Sequence, residues 1–179
     1  VEIDPYDPHS IPVKRTAPGR FKHESAQYVV DKDDRVAFYM GDDERNEYIY
    51  KFVCKRKLDR NNRAANLDML DHGTLYVAKF HSDDRGEWLP LVHGVGPLTT
   101  ANGWVDQADV LIRTRMAADA VGATRLHRPE WVAVHPHSRE VYVTLTNGSG
   151  NTAPVNRRRP CSAQRQPRAW ANAGASIGA

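Results

Sequence analysis

Residues 26–40 read Ala-Gln-Tyr-Val-Val-Asp-Lys-Asp-Asp-Arg-Val-Ala-Phe-Tyr-Met. Two β-forming runs, Ala26–Val30 and Val36–Met40, flank the acidic turn Asp31–Arg35, a pattern that predicts a hairpin. The same grammar recurs outward along the chain. Tyr48–Val53 alternates as a strand after a turn over Gly41–Asn46. Thr74–Phe80 and Glu87–Val92 read as a second hairpin around His81–Gly86. Trp131–Val134 and Val141–Thr146 read as a third around His135–Arg139. Short strands with turns about every 8–12 residues predict an all-β domain: a sandwich, barrel or propeller.

One helix interrupts this pattern. Asp106 is the expected N-cap, with Asp109 where a capping-box acid belongs. Leu111, Ile112, Met116, Ala117 and Ala120 are expected to share the face packed on the sheet, and Gly122 to supply the left-handed stop.

Composition sets the outer limits. In 179 residues, 40% are hydrophobic and 26% charged, which places the chain among folded globular sequences. A run of about 18 apolar residues is absent, so no membrane-spanning helix is expected. Two cysteines, Cys54 and Cys161, are too few for a disulfide scaffold or a four-cysteine zinc site. Cys54 reads as a packing residue within a strand. The net charge of +3 hides an asymmetry: residues 141–179 carry five arginines and no Asp or Glu, leaving −2 on residues 1–140. A nucleic-acid partner would have to rest on Arg157–Arg159 alone, and a solvated tail is the preferred reading.

The β alternation stops near Asn147. Residues 1–147 are therefore expected to form the compact part, and 148–179 a basic, low-complexity, disordered tail. Val1–Ile3 resembles the end of a strand, and both edges look cut, so an internal fragment is expected. A reading-frame shift would produce such an acid-free tail.

A weak repeat narrows the fold. Glu24 precedes a strand, an acidic turn and Val36–Met40; Glu130 precedes a strand, a polar turn and Val141–Leu145. Two units of about 50 residues span this separation, as propeller blades do. Equivalent acids on successive blades converge on a central channel, a way to assemble metal-binding carboxylates. Each acid also has a bland reading. Glu24, ending Gly19-Arg-Phe-Lys-His-Glu24, is a surface acid or a metal ligand. In His127-Arg-Pro-Glu-Trp131, Pro129 is expected to hold Arg128 extended. Arg128 and Glu130 then project to one side and Trp131 packs on the other. They form a local ion pair, or a phosphate clamp beside a metal ligand. Gly41-Asp-Asp-Glu-Arg45 offers oxygen ligands of the kind Ca2+ takes, but lacks EF-hand spacing and reads by default as a solvated turn. The eight histidines show no His-Glu-x-x-His pattern, and His135 and His137 are expected in an exposed turn.

Several blocks together resemble one family. Gly19–Glu24, Phe38-Tyr-Met-Gly-Asp-Asp-Glu44, Tyr48–Val53, Leu70–Phe80, Gly86-Glu-Trp-Leu-Pro-Leu91, the Asp106–Ala123 helix, Arg128-Pro-Glu-Trp131 and Val141–Asn147 are similar, in order, to the PhoX family of alkaline phosphatases. The resemblance implies a six-bladed β-propeller, of which this chain holds about two to three blades. It also implies hydrolysis of phosphate monoesters with iron and calcium ions (Fe3+ and Ca2+), and export by the twin-arginine route to the periplasm or beyond. By carry-over, Glu24 and Glu130 are metal ligands and Arg128 the phosphate clamp. The family usually has Asp where this chain has His127, and neither Cys54 nor Cys161 matches its iron-binding cysteine. The chain alone is expected to be an incomplete, inactive part of such a phosphatase. Two other readings stand beside it: a calcium-dependent propeller lactonase, which has no need of Arg128, and a non-catalytic propeller fragment.

Overall fold

The computed structural model describes residues 1–83 and 85–146, and the backbone of 164–165. The expectation of a disordered tail over 148–179, the Arg157–Arg159 patch and Cys161 fall outside the described residues. The exception is a short strand, Gln164–Arg165.

The expected hairpins form, and the domain is mostly β-sheet with few helices. The first pairs β1 (Gln27–Val30) with β2 (Arg35–Gly41), antiparallel. Its turn has a local cause: the Asp31 carboxylate accepts from the Asp33 and Arg35 amides at 2.8 and 2.9 Å, and Asp34 takes φ +61°. Strand β3 (Arg45–Glu47) follows, then β4 (Ile49–Lys57), β5 (Gly73–Phe80) and β6 (Gly86–Pro90). Strands β1-β2-β4-β5-β6 make one five-stranded antiparallel sheet. Further on, β7 (Leu126–His127) pairs with β3, and β8 (Pro129–Val134) pairs with β9 (Val141–Leu145), which Gln164–Arg165 (β10) extends.

The large sheet is covered on both faces. Met40, Tyr50, Phe52, Leu75 and Val77 pack on one side with Leu91, Trp104, Val110, Ala117 and Ala118. Tyr39, Ile49 and Ala78 pack on the other with Val132, Val141 and Val143. Burying a side chain such as Phe52 stabilises the fold by about 2–3 kcal/mol, so these two layers hold the molecule together. Cys54 lies in the first of them, as its position in a strand suggested.

Three expectations change. The span Gly41–Asn46 is not simply a turn, because β3 begins at Arg45 and reaches across to β7. The single helix is two short ones, α1 (Gln107–Ile112) and α2 (Thr114–Ala120), broken at Arg113 (φ −96°, ψ 38°). Asp106 caps α1 by accepting from the Asp109 amide, and Gly122 stops α2 at φ +73°, both as expected. The break turns the buried face to Val110, Thr114, Ala117 and Ala118, leaving Ile112, Met116 and Ala120 exposed. Arg113 is held there by Asp109, by the Gly103 carbonyl at 2.9 Å and by stacking on Trp104. Finally, Trp131 does not pack; it is 63% exposed, because the β8–β9 register slips between Pro129 and Val132. Among the described residues no helix is long and apolar enough to cross a membrane.

Candidate functional site

The segment Gly19–Glu24 is fixed at its start by Gly19, whose φ is +88° and whose Cβ, if present, would lie 2.6 Å from Leu75 and 2.9 Å from Thr114 Oγ1. Only glycine suits both the dihedral and the space. The Arg20 amide donates to the Leu111 carbonyl and to Thr114 Oγ1, docking the segment where α1 meets α2. The Phe21 ring then stacks between His23 and Tyr50. From Lys22 onward the chain runs beside the end of β2: the Asp43 amide donates to the Lys22 carbonyl, and the Glu24 amide to the Gly41 carbonyl. Glu24 is thereby delivered to the end of β2, with its side chain exposed.

Glu130 reaches the same place from the other side. A Cβ on Gly41 would lie 2.5 Å from the Pro129 carbonyl oxygen and 2.6 Å from that of Glu130. Gly41 is thus wedged between the Glu24 amide and the β8 backbone, so the backbones of both acids meet at one residue. Arg128 precedes β8 with φ +44°. The expected extended conformation is therefore wrong. Pairing of β7 with β3 and the start of β8 constrain Arg128 from both sides, overriding the preference that Pro129 imposes. Its Nη2 lies 2.8 Å from Asp43 Oδ1 and 3.4 Å from Glu130 Oε1, so Arg128 and Glu130 do stand together.

The acidic run 42–44 is no solvated turn. Asp42 is fully buried. Its carboxylate accepts from Arg115 Nε at 2.7 Å, Arg115 Nη2 at 2.6 Å and the Lys22 amide at 3.1 Å. This bidentate bond holds the Arg115 guanidinium firmly charged. Nearby, Glu47 has a buried oxygen 3.7 Å from Arg115 Nε, and burial pushes its carboxyl up to about 7. Glu44 is the exposed member, and a hydrogen bond from the Lys22 ammonium holds its carboxyl down to about 2. Asp42, Asp43, Arg115 and Glu47 were not singled out individually by the sequence. The one signal lay in the alternation of β2: the period that buries Val36 and Met40 continues to Asp42.

The oxygen donors suit a hard cation in kind. They do not suffice in number: among the described residues no three His, Cys, Asp or Glu side chains converge to hold a metal. What the site contains is a guanidinium fork balanced by two carboxylates, with a third carboxylate nearby. A guanidinium fork is matched in shape to carboxylate and phosphate oxygens alike.

The scaffold defines the class, a mostly β-sheet protein with few helices. The chain matches the family described as alkaline phosphatase PhoX over residues 1–177 and belongs to that family. Among solved structures it is similar to Pseudomonas fluorescens PhoX in complex with vanadate, a transition state analogue, at 53% identity and a TM-score of 0.79. That similarity covers 82% of this chain but 27% of the solved one. No curated protein matches the sequence.

Proposed function

We propose that this chain supplies part of a metal-dependent phosphatase site acting on phosphate monoesters, with Arg128 as the phosphate clamp and Glu24 and Glu130 as metal ligands. The single observation that carries the reading is the Arg128–Asp43–Glu130 cluster, with the Glu24 amide bonded to the Gly41 carbonyl nearby, in a chain 53% identical over its matched part to a PhoX solved with vanadate. In this reading the sheets are about two to three blades of a six-bladed propeller. The missing metal ligands come from the parts of the longer relative that this chain does not span. The intact protein is exported to the periplasm or beyond. Neither nucleic acid nor a membrane is a partner.

Ca2+ and Fe3+ are the proposed ions, and when bound they withdraw charge from the phosphoryl oxygens and supply an oxygen nucleophile. The chain's own residues do the rest. Two acids offset the cationic charge. Arg128 exchanges Asp43 for the equatorial oxygens of the phosphoryl group, over which charge is spread in the transition state. Its constrained backbone limits the movement of the fork to that exchange. The lactonase reading leaves Arg128 idle, and the observed Asp43–Arg128–Glu130 contacts favour the phosphatase.

The test is vanadate binding to the purified chain, followed by NMR with and without Ca2+. We expect weak, Ca2+-dependent binding that Arg128→Ala reduces at least tenfold, and no phosphomonoester turnover. Binding indifferent to Arg128→Ala would remove the phosphate clamp; turnover by the chain alone would show that the site is complete.

A further inference from the structure

We infer that the buried Asp42–Arg115 pair is a positioning strut that sets Glu24 and Arg128 relative to one another, an inference that rests on the phosphatase reading above. Neither residue belongs to the Arg128–Asp43–Glu130 cluster. Asp42 is fully buried and Arg115 is one-third exposed. A buried ion pair of this kind is weak support for stability, because well-packed apolar residues of similar size usually serve as well. What it fixes is geometry.

The geometry here is specific. The Asp42 carboxylate binds Arg115 with both oxygens and also accepts from the Lys22 amide. The Asp42 amide donates to the Tyr48 carbonyl at 3.1 Å. One residue, through its carboxylate and its amide, therefore joins the 22–24 segment, Tyr48 and α2. The functional groups sit next along the chain from these bonds. Asp43, which engages Arg128, follows Asp42, and Glu24 lies two residues past Lys22. Arg115 is itself steadied by Glu47 at 3.7 Å, so the guanidinium is held between two acids. Freeing Asp42 from Arg115 releases both segments at the point where their backbones pair, through the Glu24 and Asp43 amides.

Amide hydrogen exchange on the 179-residue chain tests this, with vanadate affinity in Ca2+ as the second readout. Arg115→Met is expected to speed exchange at the Glu24 and Asp43 amides at least tenfold, while the β4–β5 ladder keeps its rates. Vanadate affinity should fall at least threefold, and Arg115→Lys, which keeps the charge but not the two-pronged bond, should restore it only in part. Should Arg115→Met not fold, Asp42→Asn carries the test. It keeps the shape and the Lys22 contact but weakens the grip on Arg115, and the same two amides should respond. Unchanged exchange at Glu24 and Asp43, or a rise spread evenly over the β4–β5 ladder, would overturn the strut. Wild-type chain that binds no vanadate would remove the phosphatase reading instead, and the exchange comparison would still decide the strut.

Discussion

Arg128 meets Asp43 across 85 residues of sequence, its Nη2 2.8 Å from one carboxylate oxygen and 3.0 Å from the other. The short β3–β7 ladder makes this meeting, since Arg45 pairs with His127, one residue before Arg128. The guanidinium is then balanced by Asp43 and Glu130, while its backbone is held at φ +44°. A non-glycine residue in that region carries about 1–2 kcal/mol of strain. Arg128→Gly should therefore leave stability within about 1 kcal/mol of wild type, because relief of strain offsets the lost, partly exposed ion pairs. The same variant should lose vanadate binding. Urea denaturation beside an NMR titration reads both effects. A large loss of stability would assign Arg128 to the fold instead of the ligand.

Gly41 tests how tightly the two acids are brought together. An alanine Cβ there would meet the Pro129 and Glu130 carbonyls at 2.5 and 2.6 Å, and both are backbone atoms that cannot rotate away. Gly41→Ala should cost about 1–3 kcal/mol and weaken Ca2+ binding, as β8 is pushed from β2. Wild-type stability by denaturant titration would mean that the contact is looser than the structure shows.

Glu47 gives the domain a pH-dependent stability. Burial raises its carboxyl to about 7 from an ordinary value of 4.5. Between those values the folded state holds a proton that the unfolded state has lost. Stability attributable to Glu47 is thus full below pH 4.5, falls as pH rises toward 7 and is flat above. Glu47→Gln should remove this slope and be more stable than wild type at pH 8, by up to about 3 kcal/mol. Denaturant midpoints at pH 5 and pH 8 check it. Equal midpoint differences at both values would contradict the shift.

Lys51 shows the opposite dependence. It is buried on the sheet face beneath Tyr39 and Trp88, and desolvation lowers its ammonium to about 8 from 10.5. The unfolded state binds the extra proton between these values, so stability rises as pH climbs from 8 toward 10.5. Below pH 8 the charge is held at a cost, which the two rings offset in part. Lys51→Met should gain about 1–2 kcal/mol at pH 7, and the gain should shrink by pH 10. A variant less stable than wild type at pH 7 would show that the rings repay the whole cost.

Much of the fold was legible because strand patterning is local. The three hairpins follow from alternation and from turn residues such as Asp31, whose carboxylate builds its own turn. The helix read as continuous because Asp109, Arg113 and Trp104 act through a tertiary contact that no periodicity reveals. Trp131 was misplaced because a slip in register exchanges the two faces of a strand. In the site, the sequence singles out Arg128 and Glu130, which flank Pro129, and Glu24, which closes the Gly19–Glu24 run, as candidates. Asp42, Arg115 and Glu47 are not singled out individually. Their charge marks them as surface residues until their partners are known, and those partners lie as far as 73 positions away.

The central claim is that Glu24 and Glu130 serve one shared cation beside Arg128. A double-mutant cycle in Ca2+ affinity of the chain, followed by NMR, addresses it directly. If the carboxylates share an ion, Glu24→Gln, Glu130→Gln and the double variant should all lose affinity to nearly the same extent, since either loss dismantles the site. Losses that simply add, or a Glu24→Gln variant that binds as wild type does, would show two unrelated acids and contradict the account.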